Sequence, residues 1–269
     1  STINAWKTGL WSISNTTHPT IMITIFLALM MKLGLAPLHA WYPEVIQGST
    51  LTTALIMSTW QKLAPLALLY TMHNQVPTNL VLLLGLSSAL IGGLMGLNQT
   101  QTRKIMAFSS IAHMGWLITT LTLNKNLTII TLVIYIVMTT TMFLSLNTTA
   151  TKTLTDLGTT WTQSPLLTTL MLLMLLSLGG LPPLTGFTPK WLILNELCTN
   201  NLTTLAASLA MAGLPSLYFY VRMTYLAALT TSPSTLNTEY KWRLMKSPSA
   251  TLPITTIMTT MLLPLTPTL

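Results

Sequence analysis

Apolar residues run in blocks of about twenty along the whole chain, separated by short polar stretches. As a helix, such a block crosses the roughly 30 Å hydrocarbon core of a bilayer, since each residue adds about 1.5 Å. The pattern predicts about eight spans, near 20–43, 50–72, 78–97, 104–123, 126–147, 165–197, 203–229 and 251–268. The blocks are continuously apolar and do not alternate, which excludes a barrel of transmembrane strands. The fold class is therefore all-α: a polytopic helical bundle forming one transmembrane domain over 1–269. Within it, 1–19 reads as a polar N-terminal segment, 20–147 as five spans, 148–164 as a threonine-rich loop, and 165–269 as the last three spans.

Two spans are interrupted. In the first, "MKLGLAPLHAWYP" places Lys32, Gly34, Pro37, His39 and Trp41 inside the apolar run. In the sixth, "LSLGGLPPLTGFTPKW" brings Gly179, Gly180, Pro182, Pro183, Lys190 and Trp191. Broken helices leave backbone N–H and C=O groups unpaired. In a membrane these survive only when buried in protein or facing a wet cavity. Paired discontinuous helices are also the sequence-level mark of transporters built from structural repeats. The fold is expected to contain two discontinuous helices, at Gly34/Pro37 and at Gly179/Gly180/Pro182/Pro183.

Composition agrees with immersion in lipid. The chain is 51% hydrophobic and 6% charged, with mean hydropathy +0.62, whereas soluble domains carry about 25% charged residues. The net charge of +8 comes from twelve basic residues scattered singly or in pairs, with no stretch that could follow a nucleic-acid backbone. A single cysteine, Cys198, permits no internal disulfide. No Walker motif, haem signature or Cys/His metal spacing is present, so no cofactor or metal is expected in this chain. The "IGGLMG" stretch reads as a small-residue helix face, with Gly92, Gly93 and Gly96 allowing close helix approach, not as a dinucleotide loop.

Against this background the interior cations stand out. Lys32, Lys62 and Lys190 lie within apolar spans, where a lysine costs roughly 2.5–3.5 kcal/mol on insertion scales. Lys62 is too deep for its stem to reach the headgroups; Lys190, nearer a span end, is better placed to do so. Ser58 and Thr59 precede Lys62 by four and three residues, and Ser109 and Ser110 stand in the same relation to His113, so each pair shares a helix face with its titratable group. His39 follows Lys32 by seven residues, on the same stripe if the break does not rotate it. Taken together these groups read as a proton relay, with Lys32, Lys62, His113 and Lys190 as its titrating members and the hydroxyls and His39 as secondary candidates. None of the four acidic residues is central in a span, so a carboxylate partner for Lys32 or Lys62 is expected elsewhere, in another chain or upstream.

At these residues a resemblance emerges. "MKLGLAPLHAWYPEV", "STWQKLAP", "GLNQTQTRKIMAFSSIAHMGW", "LLSLGGLPPLTGFTPKW" and "LYFYVRMTY" resemble, in order along the chain, the chain 2 family of mitochondrial NADH–ubiquinone oxidoreductase. Its members are antiporter-like membrane subunits of respiratory complex I. The resemblance implies an antiporter-like fold with inverted repeats, each holding a broken helix. It also implies roles: Lys32 as the lysine of the first broken helix, Lys62 as the connecting lysine, His113 on the central axis, and Lys190 as the lysine of the second broken helix. The family's intramembrane glutamate belongs to a helix upstream of anything here, so the chain is expected to be N-terminally shortened.

The leading expectation is a proton-translocating subunit of a multi-pass assembly in the mitochondrial inner membrane. NADH, FMN, iron–sulfur clusters and ubiquinone would be handled by other subunits. Expected partners are other membrane-arm and accessory subunits and membrane lipids, with cardiolipin as a candidate and nucleic acid excluded. A structural spacer without its own pumping is the alternative. A free-standing antiporter is disfavoured, because a complete inverted repeat does not fit in eight spans.

Overall fold

The computed structural model describes residues 2–9, 19–230 and 251–261. Among these, thirteen α-helices account for the architecture, and the one β-bridge joins Gln101 to Thr153. They are α1 (Thr2–Thr8), α2 (Pro19–Leu33), α3 (Trp41–Gly48), α4 (Leu51–Ser58), α5 (Trp60–Met72), α6 (Thr78–Gly96), α7 (Thr102–Leu123), α8 (Lys125–Thr149), α9 (Leu154–Gln163), α10 (Pro165–Gly179), α11 (Phe187–Thr199), α12 (Thr203–Leu229) and α13 (Thr251–Met261). The first predicted span is α2 plus α3, the second α4 plus α5, and the sixth α10 plus α11. The others correspond to α6, α7, α8, α12 and α13. The last predicted span runs past Met261, beyond the described residues.

Both anticipated breaks end their first half in the same way. Gly34 has φ +73° and Gly180 φ +82°, a left-handed conformation that glycine adopts without the Cβ penalty. Around the first, Gly34 N–H bonds Met31 O and Leu35 N–H bonds Met30 O; around the second, Gly180 N–H bonds Ser177 O and Leu181 N–H bonds Leu176 O. Each is a Schellman closure, which satisfies carbonyls that a helix end otherwise leaves bare. The two segments also match in sequence: "GLAPLHAWYP" and "GLPPLTGFTP" share the pattern G-L-x-P-L-x-x-aromatic-x-P. The halves α3 and α11 restart at corresponding aromatics, Trp41 and Phe187. This is an internal repeat, and it aligns Lys190 with Glu44, not with Lys32.

The second span also breaks, at Thr59, without glycine or proline at that position. Ser58 Oγ and Thr59 Oγ1 donate back to Leu55 O at 2.9 and 2.8 Å, and the Thr59 N–H donates to the same carbonyl at 3.0 Å. Hydroxyl back-bonding of this kind loads one carbonyl and bends a helix. Thr59 takes φ −115° and ψ −69°, and the Lys62 N–H then reaches only Thr59 O, three residues back, at 3.3 Å. Among the described residues the bundle therefore contains three discontinuous spans where two were expected.

The stretch expected to be a loop at 148–164 contains the helix α9. Thr153 caps it by accepting from Asp156 N–H, while Asp156 accepts from Thr153 N–H at 2.9 Å and Lys152 N–H at 3.1 Å. This capping box satisfies donors at the helix start. The segment also clamps the start of α7, through Thr102 N–H to Lys152 O and Leu154 N–H to Thr100 O.

Helix α7 forms the axis. It packs against α3, α6, α8, α11 and α12, and seventeen of its twenty-two residues are buried. Glycine sets its distance from α6: a Cβ on Gly92 would lie 2.6 Å from Ala112 N, and one on Gly115 would lie 2.6 Å from Gly85 O. Gly93 faces Pro215 and Gly96 faces Phe219 on α12, so the small-residue face serves α7 and α12 together. Outward, Leu83, Val133, Leu166, Met211 and Ile257 are exposed. Such apolar exteriors, around four helices long and apolar enough to cross a bilayer, are the lipid-facing surface of a multi-pass membrane protein.

Candidate functional site

The chemistry collects around the middle of α7. Lys62 enters from the start of α5 with 2% of its surface exposed. Its Nζ donates to the Tyr135 hydroxyl at 3.1 Å and lies 4.8 Å from the Tyr42 ring centre and 5.1 Å from that of Tyr135. Aromatic faces partly replace the hydration that an ammonium loses on burial. The Tyr135 hydroxyl in turn donates a hydrogen bond to Ser58 O at 3.0 Å. That carbonyl is free because the interruption at Thr59 leaves Lys62 N–H on Thr59 O. The broken helix thus supplies the acceptor that anchors the phenol beneath the lysine.

On α7, Ser110 Oγ contacts the Tyr42 hydroxyl at 3.0 Å and also bonds Ala107 O. Ser109 Oγ bonds Met106 O. One turn on, His113 lies 6.0 Å, ring centre to ring centre, from Tyr135, and its Nε2 makes a long 3.5 Å contact with the Tyr220 hydroxyl of α12. A cavity of about 20 Å³ is lined by His113, Thr131, Tyr135 and Lys190 among apolar neighbours, room for about one water molecule. Lys190, half-buried at the start of α11, closes the far side and donates to Gly179 O at 2.9 Å. It therefore folds back onto the terminus of α10, whose bare carbonyls carry partial negative charge.

Of the four lysines and histidines predicted from sequence, Lys62, His113 and Lys190 thus gather around Tyr135. Lys32 does not join them; it is exposed in the last turn of α2, beside exposed Met31. His39, in the first break, is half-buried, and its Nδ1 is enclosed with no hydrogen-bond partner among the described residues. The hydroxyls of Ser58, Thr59 and Ser109 bond carbonyls of their own helices; across to other helices, Ser110 meets Tyr42 and Ser109 meets Tyr220. The residues that sequence reasoning missed are Tyr42, Tyr135 and Tyr220, each 3% exposed or less. Their signal was available: a tyrosine deep in an apolar run needs a partner for its hydroxyl. The arginines take structural places instead. Arg103 caps the end of α3 through Ser49 O at 2.6 Å, and Arg222 caps α6 through Leu97 O at 2.6 Å.

Comparison with known proteins bears on the same regions. Residues 5–216 match the family described as NADH:quinone oxidoreductase/Mrp antiporter, transmembrane, and residues 217–269 match the NADH dehydrogenase subunit 2 C-terminus. The NADH-ubiquinone oxidoreductase chain 2 of Xenopus laevis is 53% identical over 265 residues, covering 98% of this chain and 77% of that protein. Its counterpart in Salmo salar is 52% identical over 269 residues, with 99% and 77% covered. Among solved structures, a chain of respiratory complex I from Thermus thermophilus superposes with TM-score 0.78 at 26% identity, over 92% of this chain. This chain spans only 57% of that one. A chain of the Mrp complex from Dietzia sp. shares the fold, with TM-score 0.69 at 17% identity over 76% of this chain and 41% of that one.

Proposed function

This chain belongs to the NADH:quinone oxidoreductase/Mrp antiporter transmembrane family, and from that premise we propose that it is a proton-translocating membrane subunit of respiratory NADH:ubiquinone oxidoreductase. It would work in the mitochondrial inner membrane among other membrane-arm subunits and lipids. Electron transfer from NADH to ubiquinone would take place on cofactors held by those other subunits. The observation that carries the reading is the enclosed Lys62 ammonium, hydrogen-bonded to Tyr135, whose ring shares one small cavity with His113 and Lys190.

In this reading a proton enters at one lysine and leaves from another, with His113 between them. Lysine and histidine both carry exchangeable protons on side-chain nitrogen, and one water in the cavity would bridge Lys190 to His113 or Tyr135. Lys32, on an outer face, would take part only through a neighbouring segment carrying a carboxylate. Without one, an exposed ammonium within the membrane costs roughly 2.5–3.5 kcal/mol.

The close packing of Lys62 between two tyrosine rings supports a second reading, a spacer that joins neighbouring subunits and pumps nothing. Replacing Lys62 by Met in the assembled enzyme separates the two. A relay loses this subunit's share of the proton-to-electron ratio while the complex still assembles. A spacer keeps the ratio unchanged, and that result would reject the relay.

A further inference from the structure

We propose that Tyr135 is a positioning residue that couples the protonation state of Lys62 to the break in its own helix. The proposal rests on the relay reading only in taking Lys62 to gain and lose a proton. It stands on three distances: Lys62 Nζ to Tyr135 hydroxyl 3.1 Å, Tyr135 hydroxyl to Ser58 O 3.0 Å, and Lys62 N to Thr59 O 3.3 Å.

A lysine ammonium has three donors and no acceptor. Facing it, the phenol oxygen must accept, so the phenol proton has to go elsewhere. It goes to Ser58 O. In an unbroken helix that carbonyl would take the N–H of the residue four positions on, which is Lys62. Tyr135 therefore occupies the bond that would close the break, and the Lys62 N–H is left with the longer 3.3 Å bond to Thr59 O. A neutral amine differs in one respect: it carries a lone pair and can accept. The phenol can then turn its proton to Nζ and release Ser58 O, and the Lys62 N–H can close onto it, joining α4 to α5. The bonds exchanged are hydrogen bonds only; the phenol keeps its proton throughout.

Around this switch, the Tyr135 hydroxyl also has Ser110 of α7 as a hydrogen-bonding neighbour and Tyr220 of α12 nearby. The Tyr42 ring lies over Nζ from α3, His113 lies beside the Tyr135 ring from α7, and Lys190 lines the same cavity from α11. Closing the helix moves the start of α5, which carries Lys62 itself. Loss of a proton would thus shift the lysine relative to His113 and alter which neighbour it can next meet.

Three substitutions in the assembled complex test the switch by amide hydrogen exchange over residues 56–62 and by density for this segment. Tyr135→Phe removes the competitor for Ser58 O, and Lys62→Gln offers the phenol a permanent acceptor. Both are expected to close the helix and slow exchange at Lys62 on the order of tenfold. Lys62→Arg offers donors only and is expected to keep the break. The same segment geometry in all three variants would overturn the switch. The proton-to-electron ratio, measured alongside, judges the relay separately, since a kept break with an unchanged ratio in Lys62→Arg would reject pumping alone.

Discussion

Single residues carry the site, and their legibility followed from chemistry. Lys62, His113 and Lys190 stood out in sequence because a titratable group in an apolar run is costly and therefore rare. Tyr42, Tyr135 and Tyr220 were passed over because tyrosine is common at membrane interfaces, although a tyrosine deep in an apolar run needs a partner for its hydroxyl. The Ser58 carbonyl was beyond reach altogether, since its freedom depends on a bond made by a side chain from another helix. Gly180 is the residue whose conformation and contacts act together. A Cβ there would meet Lys190 Nζ at 3.0 Å and Cδ at 3.1 Å, at φ +82°. Gly180→Ala is expected to cost about 1–2 kcal/mol from the left-handed backbone alone. It should also push Lys190 off Gly179 O. Lower thermal stability of the complex together with reduced pumping would show both effects; Gly179→Ala, whose Cβ would meet nothing closer than Tyr220 at 3.7 Å, should show neither strongly.

At the level of elements, the helical class could be read from apolar block length, with four helices long and apolar enough to cross a bilayer among the described residues, and two breaks from their Gly and Pro content. The internal repeat was also present in the letters, once Gly34 is set against Gly180. The third break was hidden because serine and threonine bend a helix only when their hydroxyls turn back on it, a choice made by packing against α8. Helix α9 was hidden by its polar, threonine-rich composition, although Thr153 and Asp156 stand at capping-box spacing. That box makes its own prediction. Bonds from Thr153 N–H and hydroxyl, and then from Lys152 N–H, hold the Asp156 carboxyl below its usual value of 3.8. A carboxylate with a depressed value stabilises the fold fully above its unfolded value and loses that contribution as pH falls through the folded one. Protection of the α9 amides should therefore weaken only in acid, below about pH 4. Asp156→Asn should weaken it at neutral pH and remove the acid dependence, and Thr153→Ala should cost about 0.5–2 kcal/mol of helix stability. Unchanged exchange in α9 for both variants would show that packing against α12, not the cap, holds it.

Across the whole molecule, α7 is where separate repeats meet. It presents Ser110 toward Tyr42 of the first broken span and His113 toward Tyr220 of α12, and it lines a cavity with Lys190 of the second broken span. Contacts from both halves converge on one buried helix held against α6 by glycine, so the halves cannot shift independently. Gly92→Leu, driving a side chain into the Ala112 backbone, should separate α6 from α7 and cost about 1–3 kcal/mol, seen as loss of assembled complex. The convergence also bears on whether the cations act in series. If protons pass from one lysine through His113 to the other, removing either end stops the flow. Lys62→Met, Lys190→Met and the double variant should then lower the proton-to-electron ratio by the same amount, the non-additivity expected of groups that act as one unit. Two independent half-routes would instead give a double loss equal to the sum of the single ones. His113→Gln sharpens the choice: it should equal the lysine variants if it lies between them, and leave the ratio intact if each lysine serves its own exit.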